Sequence, residues 1–97
     1  MFPQRSIVSR KTPKDGKLEI TGAAADALRA LGSRLEVVLG GVRKPALVAS
    51  LRCGCRGEDD RHTHHFLQSE LLKTLPVGEA VEVDLRSDEA AVVVTAP

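Results

Sequence analysis

Every cysteine and histidine of the chain falls in one stretch: Cys53-Gly54-Cys55, a polar loop, then His62-Thr63-His64-His65. Thiolates and imidazoles are the donors that hold zinc, at about 2.0–2.3 Å, and two of each make a tetrahedral set. Soft and borderline ligands of this kind favour zinc over the hard, oxygen-seeking cations. Spacing adds to residue type. Side chains alternate along a strand with period two, so Cys53 and Cys55 share one face of a strand. His62 and His64 share a face of the next. If Cys55 lies opposite His62, then Cys53 lies opposite His64 and Leu51 opposite Phe66, which sets an apolar pair beneath four ligands. Opposed strand residues have Cβ atoms about 4.5–5.5 Å apart, a gap that a metal can bridge after modest twisting. The loop Arg56–Arg61 is long enough to close such a hairpin. The sequence therefore predicts a zinc site at Cys53, Cys55, His62 and His64, with His65 on the other face as a reserve ligand or a group behind the ligands. The competing expectation is a pair of small strand residues facing solvated histidines.

The expected zinc is structural. Four protein ligands leave no position open for water, as closed structural sites do. No nucleophile elbow, phosphate loop or deaminase pattern of His-x-Glu with Cys-x-x-Cys is present, so no enzymatic activity is expected. Glu58, Asp59 and Asp60 serve to keep the loop soluble.

Several elements must carry that hairpin. With 97 residues and 42% hydrophobic content, the chain reads as one domain, residues 1–97. Its apolar residues are mostly Ala, Val and Leu, with two Phe and no Trp or Tyr, and a metal staple would offset the missing aromatic burial. No run approaches the roughly 18 apolar residues of a membrane span, and the first residues lack the apolar stretch of a secretory signal. A cytoplasmic protein without a membrane partner is expected, and there two cysteines are ligands or free thiols rather than a disulfide.

Short strands alternate with turn signals from end to end. Residues 4–10 read as a strand, Thr12-Pro13-Lys14-Asp15-Gly16 as a turn, and Lys17–Ile20 as a half-buried strand. Thr21 is a candidate N-cap for a helix over residues 22–31, with Gly32 placed to end it. Residues 34–39 form the next strand and Gly40-Gly41 a tight hairpin turn. A return strand runs from Val42 to about Cys55, with Pro45 marking an edge or a bulge. His62–Gln68 follows, then a short helical turn over residues 70–75 capped by Ser69. Residues 80–86 and 90–95 complete the set. The predicted fold is mainly β (α+β): a small seven-stranded barrel or pseudobarrel with one helix and one short helical turn.

The net charge of +1 is unevenly spread. Residues 1–61 hold twelve Lys/Arg against seven Asp/Glu, whereas residues 62–97 hold two against six. Arg10, Lys11 and Lys14 cluster in the first turn, and Arg52, Arg56 and Arg61 flank the cysteines. Placed at one end of a barrel, these two groups would suit phosphates, and the lack of stacking aromatics points to duplex DNA rather than single strands. The alternative to duplex DNA, which is slightly favoured, is an accessory protein-interaction subunit or a homodimer without nucleic-acid binding, which the charge asymmetry also fits.

The order of elements resembles that of the B3-like DNA-binding pseudobarrels and related small bacterial β-barrel domains. The pieces that carry the likeness are Lys17-Leu18-Glu19-Ile20, the helix through Leu28 and Leu31, and Phe66-Leu67-Gln68-Ser69 with Leu72, Leu75 and Gly78. Val81-Glu82-Val83 completes the series. The resemblance implies two DNA-contacting arms, which map onto Arg10, Lys11 and Lys14 and onto Arg52, Arg56 and Arg61. This chain departs from the family pattern in lacking its tryptophans and in carrying the Cys/His cluster in the second arm.

Overall fold

The computed structural model describes residues 2–53 and 62–96, and at Cys53 and His62 it describes the backbone alone. Among the described residues strand predominates, as the alternating patterns predict. The chain opens with β1 (Gln4–Ile7). The segment expected as a simple turn then winds into a short helix, α1 (Lys11–Asp15), closed by Gly16 at φ 70°. The Gly16 N–H donates to the Thr12 carbonyl at 2.8 Å, and the Ser69 N–H donates to the Gly16 carbonyl at 2.9 Å. A Cβ at this position would collide with the Ser69 carbonyl oxygen, so both the left-handed backbone and the close approach require glycine.

Strand β2 (Lys17–Ile20) buries Leu18 and Ile20 and turns Lys17 and Glu19 to the other face. Helix α2 (Gly22–Arg29) starts where expected, with the Thr21 hydroxyl accepting from the Ala24 N–H at 3.1 Å. The helix proper ends two residues early, and Gly32, at φ 62°, falls in a following 3₁₀ turn. Ala24, Ala25 and Leu28 form its buried face.

The hairpin of β3 (Glu36–Leu39) and β4 (Val42–Pro45) turns at Gly40 and Gly41, both with positive φ, as a two-residue type I′ connection demands. At Pro45 the expected single return strand breaks in two. Proline has no N–H to extend the ladder, and the next N–H, that of Ala46, donates to the Leu35 carbonyl at 3.0 Å. The Ser69 hydroxyl meanwhile donates to the Pro45 carbonyl at 3.1 Å. The chain then enters a different sheet as β5 (Leu47–Cys53), paired with β6 (His62–Gln68). A Ser69-capped 3₁₀ turn, Glu70–Thr74, precedes β7 (Ala80–Arg86) and β8 (Ala91–Thr95).

Among the described residues there are thus eight strands rather than seven. They form a five-stranded sheet of order β1-β7-β8-β3-β4 and a three-stranded sheet of order β2-β6-β5. All pairings are antiparallel except β3 with β8. The sheets are not closed into a barrel, because the chain changes sheet at Pro45 and Ala46 without a ladder joining β4 to β5.

The core lies between them. Leu18, Ile20 and Leu67 come from the small sheet, Val37, Val81, Val83, Val92 and Val94 from the large one, and Leu28, Leu72 and Leu75 close the sides. Each fully buried Val or Leu contributes about 1.5–3 kcal/mol, and a core built mostly of them depends on their number. Among the described residues no helix is long and apolar enough to cross a membrane.

Candidate metal centre and basic residues

The β5–β6 ladder pairs Cys53 with His62, Leu51 with His64 and Ala49 with Phe66. The expected pairings of Cys55 with His62, Cys53 with His64 and Leu51 with Phe66 are therefore displaced by two residues. The far end of the ladder sets this register. Leu47, Gln68 and Lys17 lie abreast, and the crossover at Pro45 and Ala46 fixes where β5 begins. A shift of two preserves parity, whereas a shift of one would turn every side chain over. In the backbone ladder Cys53 is thus registered with His62, and His64, two residues on, with Leu51. Cys55 lies outside the described residues.

Phe66 shares the outer face with His64, as parity predicts, but it lies opposite Ala49 rather than Leu51, and the core is built on the other face by Leu18 and Leu67. The ring is nonetheless only 3% exposed. The ammonium groups of Lys11 and Lys17 sit 5.0 and 5.9 Å from its centroid, and His64 stacks at 6.4 Å between centroids. Long lysine stems cover an aromatic face while their charges remain in water.

Glu19 is the residue that sequence reasoning missed. Its Oε2 lies 2.8 Å from Nδ1 of His64. Glu19 reads in the sequence as the solvent half of an alternating strand, and only the β2–β6 pairing carries it to His64. A carboxylate that accepts the Nδ1–H of an imidazole holds the ring in one tautomer and directs Nε2 towards any ligand, as the carboxylate–histidine pairs behind many zinc ions do.

His65 turns away from this group to the face under α2. Its Nδ1 lies 2.8 Å from the Ser50 hydroxyl, to which the Arg29 guanidinium also donates, and Asp26 pairs with Arg29 at 3.3 Å. The ring stands against Gly22, where a Cβ would sit 3.4 Å from Nε2. His65 is thus spent on seating the helix and is remote from the cysteine face. Among the described side chains no three His, Cys, Asp or Glu converge to hold a metal. Those of Cys53 and His62, together with the whole of Cys55, lie outside that set. Thiolate and imidazole are donors of the kind that zinc takes, and the one described side chain among the expected ligands, that of His64, has its Nδ1 held by Glu19.

The basic residues divide. Arg10, at the N-cap, and Lys11 and Lys14 stand exposed on α1. Arg52, also exposed, pairs with Thr63 at the opposite end of the small sheet and belongs to the Ser50 and His65 face. From the level of Lys17 to that of Thr63 is five residues of β6, about 17 Å at strand rise. Arg56 and Arg61 lie outside the described residues. Among those described, the two expected arms do not meet at one end. A shallow cleft of about 520 Å³ opens between β1 and the β2–β6 edge, lined by Arg5, Glu19, Thr21, His64 and His65 among others.

Compared with protein-family models, with curated proteins and with solved structures, the chain matches none.

Proposed function

We propose that the chain is a metal-stapled small β domain, built as an open pseudobarrel, that binds a macromolecular partner. Zinc is the metal, held structurally by Cys53, His62 and His64 with Cys55 as the fourth ligand, and Glu19 fixes His64. The observation that carries the proposal is the β5–β6 register, which pairs Cys53 with His62 two residues from His64, whose Nδ1 lies 2.8 Å from a carboxylate. Zinc supplies no reaction here. It ties the ends of two strands together, and its binding free energy becomes folding free energy. Purified protein is expected to hold one equivalent of zinc by elemental analysis, with Cys53→Ser or chelator lowering the melting temperature. A metal-free protein whose melting ignores chelator removes the metal reading.

Duplex DNA is the partner favoured by the cations of α1 and by the resemblance to B3-like domains. The test is a salt-dependent duplex titration, in which Arg10→Ala and Lys14→Ala each flatten the salt slope by about one unit. Lys11 is the poorer probe because it also covers Phe66. Absence of binding at low salt removes DNA. The second reading, an accessory protein-interaction subunit or homodimer, is favoured by a separate observation, the exposed edge of β5.

A further inference from the structure

The core occupies one face of the large sheet, through Val37, Val81, Val83, Val92 and Val94, while α1 and α2 pack against the small sheet. Side chains alternate along each strand, so the residues between these valines lie on the far face. There one row of the ladder crosses four strands. Asp84 of β7 stands beside Val93 of β8, Val93 beside Val38 of β3, and Val38 beside Arg43 of β4. Val38 and Val93 are half-buried, and with Arg43 and Glu89 they line an open groove of about 300 Å³. The row therefore reads acid, valine, valine, base. Asp84 makes no ion pair with another described residue, and Arg43 meets Glu36 at 3.5 Å in an exposed pair.

We propose that this far face of the large sheet is the interface of a homodimer, on which a second copy of the chain packs face to face about a two-fold axis. This surface deepens the homodimer form of the second reading and rests on that reading, but it is independent of the metal. The order of charges decides the occupant. A two-fold axis parallel to the strands, between β8 and β3, reverses the row in the second copy. Asp84 then stands over Arg43 of the second copy, and Val93 over its Val38. Each end of the row meets the opposite charge and the centre is apolar, which is the self-complementarity that an isologous contact requires. Nucleic acid does not suit the face, because Asp84, Glu36 and Glu89 would meet its phosphates.

Aligned sheets pack about 10 Å apart, a gap that facing valines fill and that an arginine and an aspartate together span. Twist carries the outer strands out of alignment, so the match is closest in the row nearest the axis. One row along, Arg86, Ala91 and Glu36 lie abreast. The same axis sets Glu36 over the small Ala91 of the second copy, beside its Arg86. Four strands about 4.8 Å apart, with about five residues each at about 3.3 Å rise, cover roughly 19 by 17 Å. That is less than a standard interface, so the dimer should be weak and reversible rather than obligate.

Sedimentation equilibrium of the full chain in reductant, from about 10 μM to about 1 mM, measures the association. The wild type should pass from monomer towards dimer across that range. Asp84→Arg sets arginine over arginine, and Arg43→Asp sets carboxylate over carboxylate. Each variant alone should therefore self-associate at least about tenfold more weakly, while its dispersed NMR spectrum shows an intact fold. An equimolar mixture of the two variants should recover the wild-type association, since opposite charges then face each other at both ends of the row. A mixture that associates no better than either variant overturns the two-fold arrangement and the proposal with it. Dimerisation that both variants leave unchanged places the interface elsewhere, which overturns this face but leaves the homodimer reading standing. A wild type that stays monomeric throughout the range removes both the face and the homodimer reading.

Discussion

Replacing Glu19 with glutamine separates two roles that one hydrogen bond can have. The contact to His64 is 2.8 Å, but the side chains are 55% and 28% exposed. A pair that open to water contributes at most about 1 kcal/mol to folding, after screening and side-chain entropy. The metal-free protein should therefore melt within a few degrees of wild type. Zinc affinity should respond far more. Glutamine keeps the shape of the side chain but loses its charge, and either end of the amide can face the ring, so the imidazole is no longer held in one tautomer. Loss of such a partner behind a ligand costs about 10–100-fold in metal affinity, or roughly 1.4–2.7 kcal/mol. Competition against a chromophoric zinc chelator measures this directly. Glu70→Gln is the control, because Glu70 is 78% exposed and among the described residues pairs with Lys73 at 3.2 Å, and its affinity should match wild type. A Glu19→Gln protein with wild-type zinc affinity would refute the orienting role, even with stoichiometric metal bound.

Two further predictions concern the scaffold. Gly16→Ala imposes a left-handed backbone on alanine and drives its Cβ into the Ser69 carbonyl. The expected loss is about 2–4 kcal/mol in urea unfolding, and a loss below about 1 kcal/mol would mean that α1 and the Ser69 turn can move apart cheaply. Thr21→Ala removes the hydroxyl that accepts from Ala24 and reaches Gln4. It should cost about 1 kcal/mol and speed hydrogen exchange in the first turn of α2, whereas unchanged exchange there would show that tertiary packing alone holds the helix start.

Much of this was legible in the sequence, and for local reasons. Thr21, Gly40-Gly41 and Ser69 act through their own backbone neighbours, so the α2 cap, the β3–β4 turn and the 3₁₀ turn could be placed from residue types alone. Strand parity is local too, and it put His64 and Phe66 on one face. What lay beyond reach was set between distant segments. The change of sheet at Pro45 depends on Leu35 and Ser69 capturing the backbone there, which splits the return strand and keeps the sheets open. The register of β5 on β6 depends on where that crossover ends, and a period-two pattern fits a shift of two residues as well as none. Glu19 reaches His64 only because β2 lies beside β6. Phe66 is buried by lysines rather than by the core because α1 folds over the outer face. Chemistry and parity belong to the sequence, whereas neighbours belong to the tertiary structure, since period two constrains a side chain's face but not what stands across from it.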